Sequence, residues 1–258
     1  MRASAGWILF AVAAMPPAMA AMAGDAVRLE QADVFAADGA RLLYRESHYV
    51  LRGDRPQRWV LYRCPDGRAF ARKQVQATPL SMAPDFALVD GRDGYAEGVR
   101  GAGGSRIVYA GARDAQAAAS VAVPANGVVD AGFDVAVRAH WDDLMRNRTV
   151  RLQFLVPSRK RFFPVRVERI GGIAWNGIPA ERLRMRVDAW FGFAVPAVEL
   201  VYSRADQRLL EFKGTGNVRD ALGRNPQVRI RFRAAPTDVP LGDLAAARAA
   251  PLEGGCRF

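Results

Sequence analysis

The stretch Arg182-Leu183-Arg184-Met185-Arg186-Val187-Asp188-Ala189 alternates strictly between charged and apolar side chains. Successive Cβ atoms of a strand point to opposite faces, so a period of two puts Leu183, Met185, Val187 and Ala189 on one face and the charged residues on the other. A helical period of 3.6 would mix the two sets. The segment reads as a strand with one face on a core and one in water. Similar text stands on either side of it. Val150, Leu152, Phe154 and Val156 alternate with Arg151 and Gln153; Phe163, Val165 and Val167 with Arg166 and Glu168; Val228, Ile230 and Phe232 with Arg229, Arg231 and Arg233. Residues 42–51, 58–64, 68–75 and 106–109 read as strands with less regular alternation.

Turn chemistry separates these runs: Pro65-Asp66-Gly67, Gly101 to Gly104, Gly171-Gly172, Asn176-Gly177 and Ala205-Asp206. Such short connections join antiparallel neighbours, whereas parallel strands need crossover helices. Only one helix is evident, with Phe133, Val137, Trp141 and Leu144 at helical spacing, Asp130 placed to cap its start, and Arg146 and Arg148 suited to its end. The expected fold is α+β: a mainly antiparallel sheet with one main amphipathic helix. A single domain is expected over residues 24–234, with an internal seam near 111–124 that reads equally as a short helix or an irregular strand. The proline- and alanine-rich residues 235–258 are expected to form a poorly ordered tail.

Arg2, the apolar run Trp7 to Ala14, Pro16-Pro17 and the small-residue sites ending at Ala20 and Ala23 follow the order of a secretory signal peptide over residues 1–23. The run is shorter than the about 20 residues that span a bilayer. The expectation is an exported, soluble protein, periplasmic or secreted. Removing the leader lowers the net charge from +11 only by the one charge of Arg2, which favours anionic partners. Export makes nucleic acid an unfitting one. The two cysteines, Cys64 and Cys256, survive cleavage. They form either a disulfide, worth roughly 4–5 kcal/mol for so long a loop, or two free thiols.

No zinc-protease helix, nucleophile elbow or phosphate loop occurs, and Gly214-Thr215-Gly216 stops short of a dinucleotide fingerprint. The two histidines, His48 and His140, stand without motif context, so no catalytic residue, metal or cofactor is expected. A hydrolase using one of them ranks last.

Two features rise above this background. Residues 189–198, including Trp190, Phe191 and Phe193, are more aromatic than a half-exposed strand requires; they either pack into the core or line an apolar cavity or lip. The outward arginines Arg151, Arg166, Arg182, Arg184, Arg186, Arg229, Arg231 and Arg233 form a basic band, and the turn Ser158-Arg159-Lys160-Arg161 adds a basic tip. These are either solvated strand faces or a contact for an anionic membrane surface.

The closing runs Val198 to Tyr202, Arg208 to Phe212, Val218 to Arg224 and Val228 to Phe232 resemble the final hairpins of the LolA/LolB-like periplasmic lipoprotein carriers. The resemblance covers these hairpins and not the N-terminal half. It implies a curved, unclosed, half-barrel-like sheet around an apolar cavity and a lipid or lipoprotein partner, and it transfers no contact residue. The expected function is non-enzymatic binding of a lipid or other hydrophobic ligand against Phe154, Val165, Met185, Val187, Ile230 and Phe232, with Trp190, Phe191 and Phe193 near the mouth. The alternative is a structural or interaction module that binds an anionic envelope component through its basic face. The oligomeric state stays open.

Overall fold

The computed structural model describes residues 27–52, 56–76, 81–101, 103–112, 116–190, 192–233 and 235–258; the expected leader lies outside them. One sheet of sixteen strands dominates the described residues. Its first part is an antiparallel meander: β1 (Val27–Ala36), β2 (Leu42–Leu51), β3 (Gln57–Arg63), β4 (Ala69–Gln76), β5 (Asp85–Asp90), β6 (Tyr95–Arg100), β7 (Ser105–Ala112) and β8 (Ala117–Ala122). The second part is β9 (Gly127–Val128), β10 (Val150–Val156), β11 (Arg161–Trp175), β12 (Ile178–Val187), β13 (Val198–Ser203), β14 (Leu209–Thr215) and β15 (Gln227–Phe232). β15 pairs with β1, so the first strand joins the two parts in the middle of the sheet. β16 (Thr237–Val239) continues along the same edge of β1. Among the described strands every pairing is antiparallel except the short β9–β10 contact.

The outer edges are β8 and β9, neighbours in the chain that share no ladder, so the sheet is curved but unclosed. Its curl brings the single 3-10 turn after β10, Pro157–Arg159, against β6 and β7. Within the stretch expected as a seam, 105–112 and 117–122 pair as a hairpin, and the chain then passes from one edge of the sheet to the other. The Asn176-Gly177 turn has positive φ at both residues, 47° and 81°, as the tight β11–β12 hairpin requires.

The helix expected over 133–144 is two short ones, α1 (Gly132–Ala139) and α2 (Trp141–Met145), divided at His140 with φ −107°. Asp130 does not cap it. The cap position is Ala131, without a side-chain bond, because the Asp130 carboxylate is taken by Lys73. Phe133, Ala136, Val137, Trp141 and Leu144 pack inside the curl on Leu152, Val165, Val167, Leu183 and Leu200.

The C-terminal residues are also unlike the expected loose tail. They form β16 and α3 (Leu241–Ala249), whose Leu244 and Ala247 pack with Val27, Tyr49 and Leu61 on the outer face of β1–β3. Cys256 is bonded to Cys64, with Cα atoms 5.7 Å apart. Phe258 reaches Tyr44 and Phe70, and the Arg92 guanidinium lies 4.6 Å from the ring centroids of both Phe70 and Phe258. Buried apolar side chains and a covalent bond order this segment despite its prolines.

Candidate ligand cavity

Inside the curl lies a cavity of ≈ 520 Å³. One wall is apolar: Phe133 of α1, Phe154 and Leu155 of β10, Met185 of β12, Val198 and Leu200 of β13, Phe212 of β14, Ile230 and Phe232 of β15. Strand register makes this wall continuous. Met185 opposes Val198, Leu200 opposes Phe212, and Phe212 opposes Ile230, and directly opposed residues share a face.

The other wall is polar and comes from β2, β3, β4, β6 and the start of α1. His48, Val60, Lys73, Leu88 and Glu97 are successive direct opposites across β2 to β6, a single row on the inner face. Glu46, opposite Tyr62, belongs to the next inward row. Lys73 Nζ donates to both Asp130 oxygens, at 2.9 and 3.0 Å. Asp130 approaches it from a left-handed backbone, φ 44°, a conformation aspartate tolerates better than most residues. His48 Nε2 lies 2.8 Å from Glu46 Oε2. The Tyr95 hydroxyl donates to Glu97 Oε2 at 2.9 Å, and the Tyr202 hydroxyl to Asp134 Oδ1 at 2.8 Å. Arg58 stands 3.9 Å from Asp134 and from Glu30.

Glu46, Arg58, Lys73, Glu97, Asp130 and Asp134 line the same cavity. Burial raises the Tyr62 hydroxyl well above the ordinary tyrosine value, and the fields of Glu46, Asp130 and Glu97 add to that, against a bond from Asn217. Burial is also the main cause that raises Glu97, while the Tyr95 hydroxyl bond holds it back. For Tyr202 burial again comes first, followed by Asp134.

Of the residues expected to meet a ligand, Phe154, Met185, Ile230 and Phe232 line the cavity. Val165 is buried under the helices at 4 % exposure, and Val187 is half-buried outside the lining. Trp190 and Phe193 neither fill the core nor line the cavity; they are 86 % and 87 % exposed. A Cβ on Gly192 would lie 2.3 Å from the Val187 carbonyl oxygen, so this loop lays its backbone on the end of β12 and turns side chains outward. Phe191 lies outside the described residues.

The arginine band does face outward, yet much of it is held by carboxylates. Arg184 meets Glu199 at 3.3 Å, Arg229 and Arg231 meet Glu211 at 3.6 and 3.2 Å, Arg151 and Arg166 meet Asp188 at 3.3 Å, and Arg233 meets Asp33 at 2.6 Å. Arg182 joins Glu199, Glu211 and Arg229 along an outer groove, and Arg186 is half-buried on that face. At the β10–β11 turn Arg159 and Arg161 are exposed, Lys160 is partly covered, and Arg161 lies 5.0 Å over the Phe163 ring.

Sequence reasoning missed the polar wall. His48 stood out by rarity, but Glu46, Lys73 and Glu97 sit in strands whose alternation is irregular, and Asp130, in the turn before α1, was read as a helix cap. The usable signal was the spacing Glu46-x-His48, two charged or titratable side chains on one strand face.

No protein-family model matches the chain, and no curated protein matches it. Among solved structures, a β-barrel-like protein of the DUF1849 domain from Brucella abortus is 6 % identical, with 83 % of this chain and 98 % of that one covered at a TM-score of 0.42. A putative outer membrane lipoprotein-sorting protein domain from Vibrio parahaemolyticus is 8 % identical, with 85 % and 88 % covered at 0.31. A DUF1329 family protein from Desulfovibrio piger is 10 % identical, with 90 % and 93 % covered at 0.28. The second is a sorting domain of the kind the closing hairpins resemble. Likenesses this distant carry no functional inference.

Proposed function

We propose that this chain is a non-enzymatic, exported binding protein that shelters the apolar part of a lipid-like ligand inside its curled sheet. The observation that carries this reading is the cavity itself. Its ≈ 520 Å³ falls in the range that holds a small-molecule ligand, and one wall is an unbroken strip of Met185, Val198, Leu200, Phe212 and Ile230. Each methylene buried there would contribute about 0.8 kcal/mol. Catalysis has less support. Of the His48 ring nitrogens, Nε2 is engaged with Glu46 and Nδ1 has no hydrogen-bond partner among the described residues, so none of their hydroxyls or thiols is hydrogen-bonded to it as an activated nucleophile.

The test is native mass spectrometry of the gently purified chain, with Met185→Trp beside it. One lipid-like adduct per chain is expected, lost when the indole fills the cavity while thermal stability is kept. A wild-type chain that carries no adduct and takes up no apolar fluorescent probe would remove the proposal.

A further inference from the structure

We infer that the ligand is a single-chain amphiphile with a cationic amine head group drawn to the carboxylates of the polar wall, Glu46 and Glu97 among them. This rests on the cavity reading above and adds the chemistry of the head. Among the described residues the polar wall brings four carboxylates, Glu46, Glu97, Asp130 and Asp134, and two permanent cations, Lys73 and Arg58. Both cations are committed. Lys73 donates two bonds to Asp130, and Arg58 is shared between Asp134 and Glu30.

Among the described residues, Glu46 and Glu97 therefore have no lysine or arginine at ion-pair distance. Their partners are the His48 ring and the Tyr95 hydroxyl. Glu46 is 4 % exposed and His48 7 %, and among the described residues His48 Nδ1 is buried without a hydrogen-bond partner. A buried carboxylate is costly unless a positive charge or several donors meet it. An ammonium supplies both, a full charge and three donors. Among the described residues no group of three or more potential ligands is disposed to hold a metal ion, which fits a bulkier organic cation. The two walls also meet where a head would join its chain: His48 lies 5.4 Å from the Phe232 ring, at the edge of the apolar strip. An anionic head would enter a surplus of negative charge, and Lys73 is already occupied.

The experiment is calorimetric titration of the full chain at pH 7 with dodecylamine, dodecanol and dodecanoate, each below its aggregation threshold. Dodecylamine is expected to bind about tenfold or more tighter than dodecanoate, a difference of about 1.4 kcal/mol, with dodecanol between them. Glu46→Gln and Glu97→Gln should each narrow that ratio, and the double variant should abolish it. Dodecanoate binding as tightly as the amine overturns the head-group assignment and leaves the cavity reading standing. Failure of all three to bind overturns both. The wild-type ratio decides by itself, so a glutamine variant that misfolds rescues nothing.

Discussion

Strands β10–β15 and strands β2–β6 line the same cavity by opposite means. In the first set the inner face is apolar and the outer face carries arginines balanced by Glu199, Glu211 and Asp188. In the second set the inner face carries Glu46, His48, Lys73 and Glu97, and part of the outer face is buried as well, beneath α3. The difference teaches where charge is energetically important. An exposed cross-strand ion pair in the first set gains little, because water competes for both partners. The same residue types inside the second set depend on one another, because water is largely gone.

The contrast can be broken most forcefully at the bond that holds α3 over β1–β3. Cys64 and Cys256 are 192 residues apart, and chain entropy assigns such a closure about 5 kcal/mol, with measured values often nearer 2–4 kcal/mol. Replacing both cysteines by serine should lower the urea midpoint accordingly. Hydrogen exchange should show protection lost first in β1–β4 and retained longest in β11–β13. Equal loss in both sets would show that the tail does not stabilise one of them in particular.

The next largest effect should come from Lys73. It is 8 % exposed and bonded to Asp130. Lys73→Met fits an apolar side chain to the site but strands a carboxylate, and breaking such a pair costs about 3 kcal/mol or more. Equilibrium denaturation at pH 7 should show that loss. A neutral or stabilising outcome would mean that the polar wall is not held together by charge.

These two regions also explain what could be read from the chain. Leu183, Met185 and Val187 could be assigned to a face because the arginines between them all remain at the surface, which keeps the period of two clean. The antiparallel sheet followed from such runs and from turns such as Asn176-Gly177, and its open curl only from the resemblance of the closing hairpins. In β2, by contrast, Glu46, Ser47, His48 and Tyr49 are all buried, since inner residues face the cavity wall while Tyr49 faces α3. Burial on both faces erases the alternation, and a polar inner face inverts its usual meaning. The helical tail was obscured by Pro236, Pro240 and Pro251, which lie outside α3, and by alanines with no evident surface to pack on until Tyr49 and Leu61 are in place. Trp190 and Phe193 were assigned by residue type, and the close approach of Gly192 to Val187 that turns them outward has no sequence signal beyond the glycine.

A smaller effect is expected at Glu97, with a sign that depends on pH. Burial raises its carboxyl above the ordinary value of 4.5; Asp130 adds to this, while the Tyr95 hydroxyl, Lys73 and Arg219 oppose it. A raised folded-state value means that the protonated form is favoured on folding. The contribution is complete below about pH 4.5 and is lost as pH rises through the folded value. At pH 7 the charged carboxylate is thus a cost, which partial exposure to water keeps modest. Glu97→Gln should be more stable than wild type by about 0.5 kcal/mol at pH 7 and equal to it near pH 4, measured by urea denaturation. A less stable variant at pH 7 would show that the carboxylate already has a compensating partner.

The smallest effect sharpens the comparison from the other side. Arg184 directly opposes Glu199 on the outer face, at 3.3 Å, with side-chain exposures of 28 % and 38 %. Arg184→Ala should cost only about 0.5 kcal/mol, and a double-mutant cycle with Glu199→Ala should assign most of it to the pair. In about 1 M salt, where screening acts within roughly 3 Å, the coupling should fade. The Lys73–Asp130 coupling, shielded from the solvent, should persist. If Arg184 instead proved as costly as Lys73, the outer arginines would be structural in their own right. If its removal cost nothing while binding to anionic vesicles fell, their value would lie in a surface contact. A small, salt-sensitive pair term would make the outer band a balanced, solvated face and leave the inner charges as the ones that select a ligand.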